Sequence, residues 1–288
     1  MGDEPARPTD RMGRGGGAGP AGAGWRSTAG LLRSLLIYHA VPFKIRRLAE
    51  LYRLFVERGD LCFDLGAHVG DRTRALLRLG ARVVAVEPQP VCADFLERWY
   101  RKDRRVTLVR AALGAVEGQG VLRLSARTPT VSSLSPDWID RVSRAPRFAT
   151  VTWDRQVTVV VTTLDRLIER FGVPAFCKVD VEGSEPDVLR GLSRPIRALS
   201  FEYIPAIREA TQACLGRLEA LGDYEYNWTE REVPRLRSAN WLDAHSMWAI
   251  IAALPDRAHS GDIYARLKNS GRWSVVSGQK ETPLITGH

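Results

Sequence analysis

Several things are missing from this 288-residue chain, and each narrows the reading. No apolar run reaches the length of about 18 residues needed to cross a bilayer, so no transmembrane segment is expected. The start of the chain lacks the charged-then-apolar order of a secretion signal. The four cysteines (Cys62, Cys92, Cys177, Cys214) form no CxxC pair. Cys62 and Cys177 sit in apolar runs, where a free thiol behaves as a small hydrophobe. All four are expected to be reduced and the location cytoplasmic. Lysine is scarce, at five against 37 arginines. What is present suits a folded domain: 44% of residues are hydrophobic and 26% charged, which excludes wholesale disorder, collagen-like repeats and a disulfide miniprotein. The net charge of +9 suggests a nucleic-acid partner at first sight. The arginines, however, are spread over helices, loops and tail alike, which points to compositional bias rather than a binding patch.

Residues 1–24 contain the run GRGGGAGPAGAG, have almost nothing to bury, and are expected to be a disordered tail. Residues 25–58 read as a helical lead-in. Phe43, Ile45, Leu48, Leu51, Tyr52 and Phe55 recur near helical spacing, with Lys44, Arg46, Arg47 and Arg53 between them. Packing of that helix on the main domain is preferred to lying on a membrane surface. The domain proper is expected over 59–268, followed by a flexible tail at 269–288. Strands are predicted at 61–65, 82–86, 106–113, 175–181, 197–203, 224–228 and 262–267. Helices are predicted at 72–79, 91–100, 164–171, 184–192, in a long segment ending near Gly222, and at 242–254. Ser184 followed by Asp187 resembles a capping box at the start of the 184–192 helix. Residues 118–161 read as an irregular insertion beside a site, with a hairpin formed by 119–124 and 155–161. Repeated βα units imply a doubly wound, Rossmann-like α/β fold: a mostly parallel seven-stranded sheet with helices on both faces.

The first βα turn reads Phe63-Asp64-Leu65-Gly66-Ala67-His68-Val69-Gly70, and such turns mark the ligand edge of open α/β sheets. The next strand ends at Glu87, about 20 residues beyond Gly66, where a carboxylate can accept hydrogen bonds from a ribose diol. An adenosine-like ligand is expected. A dinucleotide is disfavoured, because GxGxxG is reduced to GxxxG with His68 in the middle position. Asp64 would repel a pyrophosphate and suits an ammonium or sulfonium group. These features point to S-adenosylmethionine.

The stretches FDLGAHVGDRT, VVAVEPQP, TLVRAALG, SSLSP, TTLDRL, KVDVEGSEPDVLRGL and LSFEY follow one another from about residue 60 to 203. In kind and order they resemble the class I S-adenosylmethionine-dependent methyltransferases and, within them, the FkbM family. The resemblance implies cofactor contacts at Asp64, Gly66, Ala67, His68 and Gly70, with Thr73 at the helix start. It also implies a ribose contact at Glu87, with Pro88 beside the adenine, and adenine-side contacts near Ala111 and Ala112. His68 departs from the family pattern, where many members carry Asn.

Methyl transfer to an alcohol requires loss of a proton, hence a base or a metal. Along the predicted fourth long strand Phe176, Lys178, Asp180 and Glu182 share one side. A lysine and an aspartate there are costly unless paired. Lys178 is expected to pair with Asp64 or Glu202 on neighbouring strands, leaving Asp180 and Glu182 to face the acceptor. Asp180 is the first choice of general base and Glu182 the second; a structural ion network is the competing reading. Metal binding is set aside, since neither a histidine nor a third carboxylate lies nearby in sequence. The resemblance makes Ser132, Ser133 and Leu134 a wall of the acceptor pocket, while Ser135-Pro136-Asp137 also reads as a helix start.

The expected activity is O-methylation of a hydroxyl on a small-molecule or glycan acceptor. An RNA methyltransferase is the first alternative, weakened by the lack of an appended RNA-binding module. A non-catalytic adenosine-binding protein is the second. The sequence leaves the oligomeric state open.

Overall fold

The computed structural model describes residues 42–125, 132–144, 150–231 and 233–268. The expected tails at 1–24 and 269–288, and the lead-in before residue 42, lie outside the described residues.

Short runs of apolar and β-branched residues form the strands β1 (Leu61–Leu65), β2 (Arg82–Val86), β3 (Val106–Val109), β4 (Ala112–Leu113), β5 (Gly118–Leu124), β6 (Arg155–Thr162), β7 (Phe176–Val179), β8 (Ala198–Tyr203), β9 (Tyr224–Trp228) and β10 (Gly261–Leu267). Longer amphipathic stretches form the helices α1 (Pro42–Tyr52), α2 (Asp71–Arg78), α3 (Pro90–Tyr100), α4 (Pro136–Val142), α5 (Leu164–Phe171), α6 (Glu185–Arg190), α7 (Arg208–Leu221) and α8 (Ala244–Ala253). The expected mixed α/β architecture is present. Seven strands pair in the order β3-β2-β1-β7-β8-β10-β9, and β10 runs antiparallel to both its neighbours. The pairs among β3, β2, β1, β7 and β8 are all parallel, so those five strands end on one edge of the sheet.

Helices cover both faces. On one, α5, α6, α7 and α8 bury Leu167, Val188, Leu215 and Met247 against Phe63, Val179 and Phe201. On the other, α1, α2 and α3 bury Leu48, Leu76 and Leu96 with Val83, Ala85 and Phe176. The α1 pattern resolves as the spacing predicted: Ile45, Leu48, Leu51 and Tyr52 are buried, while Arg46 and Arg47 face solvent. Tyr52 and Phe55 lie 5.0 and 5.3 Å from the Phe176 ring, and Phe55 stacks on Tyr264 at 5.5 Å. Each such buried side chain contributes roughly 1.5–3 kcal/mol, so this stretch of the lead-in is part of the core.

Three expectations need correction. The predicted strand at 106–113 is two strands in two sheets. The chain breaks at Arg110–Ala111, and Ala112 pairs with Val161 of β6. Arg110, the one charged residue in the run 106–113, stands at the break. The predicted hairpin at 119–124 and 155–161 is an antiparallel pair, Gly118↔Val161 to Leu124↔Arg155, but residues 125–154 separate its strands and β4 completes a three-stranded sheet. The capping box at Ser184 does not form, since the Ser184 side chain makes no cap hydrogen bond. Instead the Glu185 carboxylate accepts from the backbone N–H groups of Val181 and Gly183, both at 3.0 Å.

No helix among the described residues is long and apolar enough to cross a membrane. The four cysteines are buried and free.

Candidate functional site

The parallel strands end at a cavity of about 200 Å³. Its first side is the turn after β1. Gly66 adopts φ 80, and a Cβ there would sit 1.8 Å from the Asp180 carbonyl oxygen. Only glycine lets the ends of β1 and β7 come this close in that conformation. The N–H groups of Gly66 and Ala67 donate to the Val86 carbonyl at 2.9 and 3.0 Å, fastening the turn to β2. His68 is also left-handed, at φ 48, and its N–H donates to Glu87 Oε2 at 2.8 Å. The Gln89 N–H donates to Glu87 Oε1, also at 2.8 Å. Glu87 is thus locked at the end of β2. Burial pushes its carboxyl up to about 7, against the pull of the Gln89 and His68 amides. Behind the turn, Thr73 Oγ1 of α2 donates to Asp64 Oδ2 at 2.5 Å. Burial raises the Asp64 carboxyl, and this hydrogen bond opposes it. Burial lowers the His68 imidazole to about 4, so it is neutral at physiological pH.

The second side is built from β7, β8 and the insertion. Lys178 is completely buried, and its Nζ lies 3.2 Å from Asp180 Oδ2 and 3.1 Å from Asp262 Oδ1. The expected partners, Asp64 and Glu202, are replaced by Asp180, just beyond the end of β7, and Asp262 from β10. Glu202 and Asp262 are paired across β8 and β10, so the antiparallel strand delivers a carboxylate that no local pattern announces. Burial alone would lower the ammonium's pKa; Asp180 and Asp262 outweigh it and raise the value.

After β7 the chain turns through two left-handed residues, Glu182 (φ 52) and Gly183 (φ 94). A Cβ at Gly183 would lie 2.1 Å from the Trp138 ring, so the turn is packed shut by α4. Ser133 Oγ donates to the Glu182 carbonyl at 2.6 Å and accepts from the Ser135 N–H at 3.0 Å. Ser135 Oγ in turn accepts from the Trp138 N–H at 3.1 Å and caps α4. Ser132 and Leu134 line the cavity, and Ser135 starts a helix.

Of the residues expected around the cofactor, Asp64, Gly66, Ala67, His68, Glu87, Pro88, Ala111 and Ala112 line the cavity. Gly70 and Thr73 do not: Gly70 opens α2, and Thr73 stands behind Asp64. Of those expected around the acceptor, Asp180, Glu182, Glu202 and Ser132 line it. Lys178 lies beneath the wall, and Ser133 holds the Glu182 backbone. Sequence reasoning missed Arg72, Gln89, Leu122, Ser184 and Ile204, which also line the cavity. Ser184 and Gln89 each stand two residues from a carboxylate that was singled out, a signal that went unused.

The metal expectation also changes in its premise. One carboxylate oxygen from each of Asp180, Glu182 and Glu202 lies within 4.8 Å of the others. The third carboxylate, absent nearby in sequence, arrives because β8 pairs with β7. Burial first, then the neighbouring Asp180, pushes the Glu202 carboxyl well above its ordinary range.

Residues 64–223 match the family described as "Methyltransferase FkbM domain". No curated protein matches the chain. Among solved structures the chain is similar to the O-methyltransferase from Bacillus cereus in complex with SAH, at 14% identity and TM-score 0.43, over 83% of this chain and 91% of that one. It is similar to a TehB-like SAM-dependent methyltransferase from Corynebacterium glutamicum, at 11% identity and TM-score 0.42, over 87% and 100%. It is also similar to a precorrin-6y C5,15-methyltransferase from Geobacter metallireducens, at 14% identity and TM-score 0.40, over 77% and 86%.

Proposed function

The chain belongs to the FkbM methyltransferases, with S-adenosylmethionine as methyl donor, and from that premise we propose that it methylates a hydroxyl of a small molecule or sugar-containing metabolite. The observation that carries the choice of acceptor is the set of carboxylates from β7 and β8 facing the cofactor turn across one cavity.

The donor set on the β1–β2 side fits the cofactor. Glu87, anchored through one backbone N–H on each oxygen, keeps acceptor capacity for a ribose diol. Asp64 offers negative charge to an ammonium or sulfonium group. The missing Cβ of Gly66 leaves only backbone at the tightest point of the turn. When bound there, the cofactor supplies a methyl carbon open to in-line displacement.

The protein's part is to hold the acceptor oxygen and remove its proton. Asp180 is assigned the base, with Glu182 in second place. Lys178 fixes one Asp180 oxygen from below and leaves the other to the cavity. Leu122, Leu134 and Ile204 give the wall an apolar portion that keeps water from competing for the methyl group.

Asp180→Asn tests this assignment. Cofactor affinity measured by calorimetry is expected to persist, while transfer of labelled methyl into a metabolite extract falls by about 10²–10⁴-fold. Unchanged turnover removes Asp180 from the role. Mass identification of the labelled product names the acceptor, and label found only on RNA would overturn the small-molecule reading.

A further inference from the structure

We propose that Asp180, Glu182 and Glu202 together hold a hard divalent cation of the magnesium class, which binds the acceptor hydroxyl and acidifies it. The inference rests on the methyl-transfer reading of the same cavity and deepens it.

Geometry is the first support. Three oxygens within 4.8 Å of one another lie no farther than about 2.8 Å from a common centre, close to oxygen–cation bond lengths and within small side-chain adjustment of them. All three are carboxylates, the ligand type preferred by magnesium, manganese and calcium. Charge is the second. Lys178, buried beside this group, is shared between Asp180 and Asp262, so it balances the Asp180 charge only in part.

Ser184 is an independent observation. It is 3% exposed and lines the same cavity, and its hydroxyl neither caps the helix it precedes nor hydrogen-bonds another group among the described residues. A hydroxyl that opens into the cavity without a protein partner has its donor and acceptor capacity left for a ligand there. A cation with its coordinated water provides that partner at this end of the cavity, two residues from Glu182. Ordered water on a magnesium ion is the rule, since the ion keeps several of its own waters.

The chemistry balances. The acceptor O–H bond breaks, and its proton passes to the Glu182 oxygen outside the ion's shell and on to water; with the ion bound, Asp180 holds it and Glu182, the second choice of base, takes the proton. The oxygen forms its new bond to the methyl carbon as the carbon–sulfur bond breaks. The electron pair stays on sulfur, converting the sulfonium to a neutral thioether. One methyl is transferred and one proton is released.

The test uses the full chain, stripped with a chelator and titrated with manganese(II) followed by electron paramagnetic resonance and with magnesium(II) followed by calorimetry. One ion per chain is expected to bind saturably. Glu202→Gln is expected to lose it, and Ser184→Ala to weaken it about tenfold, both with cofactor binding retained as the control for folding. Absence of saturable binding by the wild type, or equal binding by Glu202→Gln, overturns the cation. So does label transfer that survives the chelator undiminished. Those results leave methyl transfer standing if the cofactor binds and label moves. Failure of the wild type to bind S-adenosylmethionine defeats the functional reading instead, whatever manganese does.

Discussion

The two sides of the cavity are assembled in different ways. On the β1–β2 side, Asp64, Gly66, His68 and Glu87 come from one stretch of 24 residues. Their contacts are largely with one another: Thr73 to Asp64, and the His68 and Gln89 amides to Glu87. On the β7–β8 side, Lys178, Glu202 and Asp262 come from three strands, Asp180 follows the end of β7, and Ser133 reaches in from the insertion. The first side is a local turn with a rigid backbone. The second is an ion network whose geometry exists only once the sheet has formed. Backbone shape should therefore govern the first side, and charge balance the second.

The largest effect should come from the second side. Lys178→Met leaves Asp180 and Asp262 facing each other without their cation and is expected to destabilise the fold by about 3–5 kcal/mol, read from urea denaturation. A loss below about 1 kcal/mol, the scale of a surface pair, would mean that the network does not support the sheet edge. On the first side, Gly66→Ala drives a Cβ into the Asp180 carbonyl and strains a left-handed residue. The combined cost should be about 3 kcal/mol, with loss of cofactor binding. Full stability in that variant would break the claim that backbone contact joins the two sides. Thr73→Val removes the donor to buried Asp64 and should cost about 1–3 kcal/mol. The same denaturation assay checks it, and an unchanged midpoint would show that Asp64 finds another donor.

The smallest expected effect is on pH. Burial raises the Glu87 carboxyl to about 7, while a ribose diol donates to its ionised form. Affinity for S-adenosylmethionine should therefore rise as pH increases through about 7 and fall below it, by at most about tenfold per pH unit. Asp64 is raised as well and acts in the same direction, whereas His68, lowered to about 4, stays neutral across this window. Stability has the opposite sign. The raised Glu87 carboxyl favours the folded state fully below its ordinary value of 4.5, and that contribution is lost as pH rises through about 7. Calorimetry from about pH 6 to about pH 8 checks the binding side, and Glu87→Gln should flatten the profile. A flat profile in the wild type would remove Glu87 from diol binding.

The difference between the two sides also explains what was legible in the chain. β2 and β9 lie where the residue pattern placed them, because β-branched and aromatic runs bounded by turn residues are local signals. The Gly66 turn and Glu87 were legible for the same reason. The split between β3 and β4 was not, since pairing with β6 rather than any change of period decides it. Asp262 was overlooked as the partner of Lys178 because it stands 84 residues away on the one reversed strand of the sheet. Glu185 was overlooked because a capping-box pattern at Ser184 and Asp187 drew attention to a contact that does not form. The Glu185 carboxylate instead reaches back to amides freed by the left-handed turn at Glu182 and Gly183.

By itself, then, the sequence determined the alternation of strands and helices, the glycine turn and the acidic residue that follows it. Periodicity and turn chemistry are carried by residues close together in the chain. Tertiary structure alone decided which carboxylates meet. Strand order and the direction of β10 bring residues 180, 202 and 262 to one edge, and no short-range pattern encodes which strand will lie beside which. Whether that edge is an ion pair, a base or a cation site depends on charges that become neighbours only when the sheet closes.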